Sequence, residues 1–384
     1  MTRRSAILAF VAVTLVFGLQ AAVTPADAFH VNDSDSAPMV WSASLRLPQR
    51  HNEILETDLD ITAWASDSVV AYEYRWIRAT VGAVHTTDAV VPVVSFAPTV
   101  PEQRHVLEVR AVGANGLRSR WFVAADLVTP PAPRVIVAGD SIASGYSRQW
   151  FTSRGVCRDA AFAYGATLAS DLAERLPAAW APSYHNVAWA GAGVHSMWSG
   201  GSDSCGDEHQ SQVEEIVALA DPATWNTVVI TAGINSTNWS EVVANLTKDT
   251  AFSLFERGDQ RACRKAVTER WDLPSRTASI GSATSLITGT LAARTNADLY
   301  WTSYYTIIDS RLAPGWTPIG AECDHEMADA MKLLDDALGA GLGDSVTWID
   351  IERDSVAIQD WGGWPHPDRS GHVAIGRRVA AAIG

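Results

Sequence analysis

The chain is 384 residues long, 47% hydrophobic and 19% charged, with a formal net charge of -14 at pH 7. That composition is ordinary for a folded globular protein, and the length exceeds the usual size of one domain, so two domains are expected. The acidic balance argues against nucleic acid or an anionic membrane surface as the main partner, since both recruit Lys and Arg.

The first residues carry a short positive start (Thr2, Arg3, Arg4), an apolar run over residues 6–19, and Ala26-Asp27-Ala28 before Phe29. Residues 1–28 therefore read as a secretory signal peptide, which predicts a secreted, extracellular protein. The apolar run is shorter than the roughly 20 residues a membrane span requires, and no later stretch is long and apolar enough, so no membrane span is expected. The four cysteines, Cys157, Cys205, Cys263 and Cys323, form no C-x-x-C pair. In an exported chain an even count without metal spacing predicts two disulfides. Three connectivities are possible; the favoured one joins Cys157 with Cys205 and Cys263 with Cys323, because each bridge would close an inserted loop beside a site edge. Each loop would contribute about 4 kcal/mol in the chain-entropy model.

From Trp41 to Val128 the pattern has period two. Leu59, Ile61 and Ala63 alternate with Asp58, Asp60 and Thr62, and Leu107, Val109 and Ala111 alternate with Glu108 and Arg110, as in half-buried strands. Asn115-Gly116 supplies a hairpin turn before the apolar run 121–123, and residues 72–77 and 90–96 add further strands. About seven short strands in about ninety residues is the density of a β-sandwich. "HVLEVRAVGANGLRSRW" resembles the last hairpin of fibronectin type III or other immunoglobulin-like modules, so residues 29–128 are expected to form such a domain.

"TPPAP", residues 129–133, reads as a short stiff linker. Beyond it the periodicity changes. Apolar strands are predicted at residues 134–138, 185–189, 227–231, 298–302 and 346–349, separated by helical spacing over 160–176, 212–219, 278–294, 322–338 and from Ser370 onward. Continuous apolar strands alternating with helices imply a parallel sheet covered on both faces over residues 134–384.

In such a sheet, functional groups gather where strands end at the carboxyl edge. Four features fall there. "VIVAGDSIASGYS" puts Ser141 directly after the first strand, although Gly-Asp-Ser alone is also an ordinary polar turn. "NVAWAGAG" puts Gly191 past the second, where a residue without Cβ lets a substrate oxygen approach its backbone N–H or simply allows a tight turn. "VVITAGINS" puts Asn235, a neutral donor or a turn residue, after the third. "WPHPDRSGH" holds His366 in a loop that Pro365 and Pro367 restrict on both sides. His372, at the start of the last helix, reads as structural.

Together these blocks resemble the GDSL-like SGNH hydrolases over residues 134–384. "GDSIASGY", "NVAWAGAG", "GINS" and "HPDRSGH" match that family's first, second, third and fifth blocks. The cysteine-bearing inserts are most similar to those of its secreted actinobacterial esterases and lipases. The resemblance implies a flavodoxin-like α/β hydrolase domain of three layers, without a cofactor, acting on a carboxylic ester of a lipid or an acylated carbohydrate. Ser141 would be the nucleophile and His366 the base and later acid. The backbone N–H groups of Ser141 and Gly191 and the side-chain amide of Asn235 would form the oxyanion hole. Losing one such donor costs roughly 3–4 kcal/mol in the transition state, so Asn235→Ala would lower turnover about a hundredfold or more.

Two departures stand out. The family usually has Asp three residues before the His, and Gly363 stands there. Asp360 could orient the imidazole from a longer loop, or a backbone carbonyl such as that of Gly363 could do so, leaving a Ser-His dyad. The dyad is the slightly preferred reading. Ser236 also replaces the Asp of the third block, which weakens the support behind Asn235. These departures keep open a second class, a catalytically weak secreted module that holds a polysaccharide on Trp189, Trp198, Trp239, Trp361 and Trp364, although aromatics at this density more often pack a core. Neither His366, Asp368 and His372 nor residues 323–326 have a recognised zinc spacing, and the acidic loops at 32–36 and 207–209 lack the calcium-loop pattern, so no metal is assigned. The oligomeric state is not legible in the sequence.

Overall fold

The computed structural model describes residues 39–45, 56–64, 69–78, 81–88, 93–95, 101–129, 131–147, 156–176, 178–239, 271–305, 321–351, 356 and 366–383. The expected leader, residues 1–28, lies outside them. The chain divides into two compact units, residues 1–98 with 103–129, and residues 99–102 with 130–384.

The first unit holds strands β1 (Met39–Leu45), β2 (Glu56–Trp64), β3 (Val69–Ile77), β4 (His85–Asp88), β5 (Val93–Ser95), β6 (Arg104–Gly113) and β7 (Phe122–Val128). They form two antiparallel sheets, ordered β1-β2-β5 and β4-β3-β6-β7. The alternation along β6 sets its two faces: His105, Leu107, Val109 and Ala111 are buried while Glu108 and Arg110 point the other way. Val94 of β5 joins Leu107, Val109, Tyr72 and Tyr74 in one apolar cluster, so both sheets contribute to a shared core. On the opposite face, register places Glu73 against Arg110 and Arg75 against Glu108, and each pair is an ion pair, at 2.5 and 2.6 Å. Both guanidiniums cover the Trp121 ring, 4.1 and 4.3 Å from its centroid.

The second unit runs β8 (Arg134–Gly139), α1 (Ser141–Ser144), α2 (Tyr164–Glu174), β9 (Ser183–Asn186), α3 (Val194–Ser199), β10 (Gly201–Ser202), β11 (Glu208–His209), α4 (Gln212–Leu219), β12 (Asn226–Thr231), α5 (Leu273–Arg294), β13 (Asp298–Thr302), α6 (Ala321–Gly339), β14 (Val346–Ile349) and α7 (Arg369–Ile383). Its main sheet is parallel, in the order β14-β13-β12-β8-β9. Counted along the unit, that is the flavodoxin-like order, in which the crevice opens where the first and third strands, β8 and β12, part at their carboxyl ends. Both central strands are covered on both faces, and every residue of β12 is buried. Val135, Ile136 and Val137 are at most 1% exposed, and each such side chain contributes about 1.5–3 kcal/mol by leaving water. In one helix group α2 packs on β8 and β9 and α7 packs on α2; in a second, α3, α4 and α6 pack around α5, with α4 also reaching β8.

Three predicted boundaries move, the two helical ones for local reasons. The second helix starts at Tyr164 rather than residue 160, because the Asp159 carboxylate accepts the N–H groups of Ala161 and Phe162 at 3.1 Å and holds them in a turn. Helix α5 starts earlier than predicted, at Leu273, with Pro274 in its first turn, where a missing N–H is harmless. The second strand lies at Ser183–Asn186 instead of 185–189, although Val187 and Trp189 still donate to the Val137 and Gly139 carbonyls at 2.8 and 3.3 Å. The proposed linker is taken up at both ends: Thr129 N–H donates to the Gln103 carbonyl, and the Pro133 carbonyl accepts from Ser183 N–H.

Candidate active site

Strand β8 ends at Gly139, whose φ of +127° is open only to glycine, and a Cβ there would lie 1.9 Å from the Thr231 carbonyl oxygen. The buried Gln212 amide holds both polar groups of this residue: Gly139 N–H donates to its Oε1 at 2.7 Å, and its Nε2 donates to the Gly139 carbonyl at 2.8 Å. The chain then turns into α1. Asp140 caps it by accepting Ile142 N–H at 2.9 Å, which places Ser141 at the first helical position, half-buried.

His366 precedes α7, and Asp368 anchors that start by accepting Gly371 N–H and the Ser370 hydroxyl, both at 2.7 Å. Its Nε2 lies 2.9 Å from Ser141 Oγ. The Tyr146 ring, tilted by 47° with its centroid 4.5 Å from that of the imidazole, covers one side of it. The two groups nominated from opposite ends of the domain are thus in hydrogen-bond contact. Asp360 and Gly363, the candidates for orienting the imidazole, lie outside the described residues, as do Trp361 and Trp364.

Gly191 lies in the loop after β9, exposed and with φ +93°. Asn235 lies in the one-turn 3-10 helix Ile234–Ser236 after β12, and its Nδ2 donates to the Ala192 carbonyl at 3.3 Å. The loop and turn are joined a second time, since Ser236 Oγ accepts Val194 N–H at 2.8 Å. Ser236 therefore supplies an acceptor of its own to the neighbouring loop.

Several residues of this site were not singled out in the sequence. The buried Tyr304 hydroxyl donates to Asp140 Oδ2 at 2.5 Å and accepts Ile234 N–H at 3.1 Å. It thereby bridges the residue before Ser141 and the residue before Asn235. Burial pushes the Asp140 carboxyl up to about 7, against the hydrogen bonds from Tyr304 and the Ile142 and Ala143 amides, which pull it down. Burial and the neighbouring Asp140 raise the Tyr304 phenol well above its ordinary value, so it stays protonated and keeps donating. Position is the signal that could have found Tyr304, two residues beyond the end of β13 and on the same sheet edge as the rest.

Cys157 and Cys205 form a disulfide with a Cα–Cα separation of 6.0 Å. Cys263 lies outside the described residues and Cys323 falls in α6, whose side chains there are likewise not described. The grouping of Cys157, Asp203 and Cys205 cannot serve a metal, because both sulfurs are bonded to each other. His372 is 1% exposed, set edge-on against Phe162 at 4.9 Å, and burial lowers its pKa to about 3. It is a core residue. Of the Trp residues considered as a sugar platform, Trp189 and Trp239 are 1% and 5% exposed and pack against His209 and Trp271, so neither is available to a ligand; Trp198 is exposed. No helix of the described residues is long and apolar enough to cross a membrane.

A scan of the sequence against protein-family models finds no match, and neither does a search of curated proteins. Solved structures do match. A phospholipase A1 from Streptomyces albidoflavus is 17% identical, with a TM-score of 0.46 over 66% of this chain and 99% of that one. An extracellular lipase from Streptomyces rimosus is 14% identical, with a TM-score of 0.44 over the same shares of the two chains. A carbohydrate acetylesterase from Sinorhizobium meliloti is 14% identical, with a TM-score of 0.34 over 65% of this chain and 98% of that one. The solved structures similar to this chain thus include lipases and a carbohydrate acetylesterase, and one described as a putative GDSL-like lipase from Parabacteroides merdae, all at low identity. The α/β architecture itself rests on the parallel sheet and its flanking helices.

Proposed function

We propose that the second unit is a serine esterase that hydrolyses carboxylic esters, with a lipid or an acylated carbohydrate as substrate. The observation that carries this reading is the 2.9 Å contact between Ser141 Oγ and His366 Nε2 at the switch point of the sheet. Ser141 Oγ attacks the ester carbonyl carbon while its proton passes to His366 Nε2. The carbonyl oxygen becomes an oxyanion held by the Ser141 and Gly191 N–H groups and the Asn235 amide. Collapse expels the alcohol, which takes the proton from His366 and leaves an acyl-Ser141. Water, deprotonated by His366, attacks that acyl group, releases the acid and returns the proton to Ser141.

The Asn235 amide rests at 3.3 Å on the Ala192 carbonyl, a long bond that a developing oxyanion would replace with a stronger one. The Cys157–Cys205 disulfide supports a chain that works in an oxidising compartment, in line with export of the protein after removal of residues 1–28. In this reading residues 29–128 form an immunoglobulin-like module and residues 134–384 the hydrolase domain.

Labelling with a fluorophosphonate probe tests the assignment. Stoichiometric modification at Ser141, absent in Ser141→Ala and strongly slowed in His366→Ala, is the expected result. Modification elsewhere, or none, would remove Ser141 from the role.

A further inference from the structure

We propose that Ser204 is a positioning residue for the Gly191 amide, acting from a disulfide-anchored hairpin outside the main sheet; this rests on the esterase reading above. The Ala190 carbonyl and the Gly191 N–H belong to one planar peptide and point in opposite directions. The carbonyl accepts two hydrogen bonds from a single residue, Ser204 N–H at 2.9 Å and Ser204 Oγ at 3.3 Å. Holding the carbonyl end fixes the direction of the N–H end, and polarising the amide from its oxygen makes the N–H a better donor. An oxyanion donor needs both, because stabilisation depends on dipoles already aimed before charge develops. Gly191 cannot fix its own plane: its φ of +93° lies in a region glycine enters freely, it carries no side chain, and it is exposed.

The hairpin is built to hold Ser204 still. Strands β10 and β11 pair Gly201 with His209 and Ser202 with Glu208. Between them the buried Asp203 accepts the N–H groups of Cys205 and Asp207 at 2.8 and 3.0 Å through Oδ1, and its Oδ2 meets His209 Nε2 at 2.9 Å. The His209 ring in turn stacks on Trp189, the residue before Ala190, with centroids 5.3 Å apart and planes 8° from parallel. On the other flank Cys205 is joined to Cys157, whose carbonyl accepts the Ser144 hydroxyl at 2.9 Å within the helical turn that Ser141 begins. Ser204 is therefore braced between two residues that are each tied down. The disulfide thus ties the hairpin that bonds the peptide of Gly191 to Cys157, which is itself hydrogen-bonded to the turn that Ser141 begins.

Ser204→Ala removes only the hydroxyl. Its expected effect on p-nitrophenyl ester hydrolysis is a loss of about three- to tenfold in kcat with KM unchanged, the size of one hydrogen bond acting in the transition state. An alkylboronic acid, which forms a tetrahedral adduct on a serine nucleophile, should lose affinity by the same factor, while thermal stability changes little. Ser204→Thr, which keeps the hydroxyl, should recover most of both. Replacing both Cys157 and Cys205 by Ser should lower kcat further than Ser204→Ala does. Wild-type kcat and boronate affinity in Ser204→Ala would overturn the proposal, as would equal losses in the Ala and Thr variants. Ester hydrolysis missing from the wild type, or surviving in Ser141→Ala, would instead defeat the esterase reading beneath it.

Discussion

Tyr304 and Asp140, 164 positions apart, are joined by a buried hydrogen bond of 2.5 Å, and the same Tyr304 hydroxyl accepts the N–H of Ile234. One oxygen atom thus ties together the two turns that carry Ser141 and Asn235. Tyr304→Phe keeps the ring and removes the bridge. Leaving Ile234 N–H buried without its partner costs about 1–3 kcal/mol. Turnover of a p-nitrophenyl ester should fall roughly tenfold at nearly constant KM, since the loss is one of alignment rather than of binding. Unfolding in urea and steady-state kinetics on the one variant check both.

Two buried groups give the stability opposite pH dependences. The Asp140 carboxyl, raised to about 7, keeps its proton in the fold where the unfolded chain has already released it. It therefore lowers stability as pH rises from about 4 to about 7, by at most about 1.4 kcal/mol per pH unit. His372, lowered to about 3, stays neutral in the fold while the unfolded chain takes up a proton below about 6.5. Its contribution is present above that pH and is lost as pH falls toward 3. Asp140→Asn should consequently steepen acid denaturation, and His372→Phe should flatten it. Urea midpoints at pH 4, 5.5 and 7 for both variants would show whether the slopes move apart.

Gly139→Ala should be among the most damaging single changes in the second unit. The positive φ and the 1.9 Å approach to the Thr231 carbonyl would force β8 and β12 apart where the site is built. A loss of more than about 4 kcal/mol is expected, visible as an insoluble or unfolded product. A soluble variant with wild-type circular dichroism and melting would contradict the strand geometry.

Ser141, His366, Gly191 and Asn235, the residues proposed as nucleophile, base and oxyanion donors, were nominated from the sequence because each follows a continuous apolar strand or precedes the last helix, and strand ends need no distance information to locate. Tyr304, Gln212 and Ser204 were not, because their roles depend on register and loop placement. Gln212 opens an amphipathic helix and reads as a polar first-turn residue until β8 is seen beside it. Trp189 and Trp239 could be read as a sugar platform or, as more usual at this density, as core, and tertiary packing buries both. Helix α5 begins at Leu273 rather than at the predicted residue 278, and the first turn of a helix accepts Pro274.

The Arg75–Trp121–Arg110 stack is expected to support the four-stranded sheet of the first unit. Trp121→Ala removes both cation–π contacts and uncovers the Glu73–Arg110 and Arg75–Glu108 pairs. A loss of about 1–2 kcal/mol should result. Amide hydrogen exchange along β6, followed by mass spectrometry, should accelerate in the variant; unchanged protection of β6 would show that the apolar face alone sets its stability.

In the proposed reaction Ser141, activated by His366, carries out ester hydrolysis. Its most direct test is the rate of hydrolysis of a short and a long p-nitrophenyl ester by the purified protein beside Ser141→Ala. Hydrolysis of at least one ester by the wild type and loss of that activity in the variant are expected, with the ratio of the two rates reporting the acyl length the site accepts. Hydrolysis that persists in Ser141→Ala, or its absence from a wild type that also resists fluorophosphonate labelling, would contradict it.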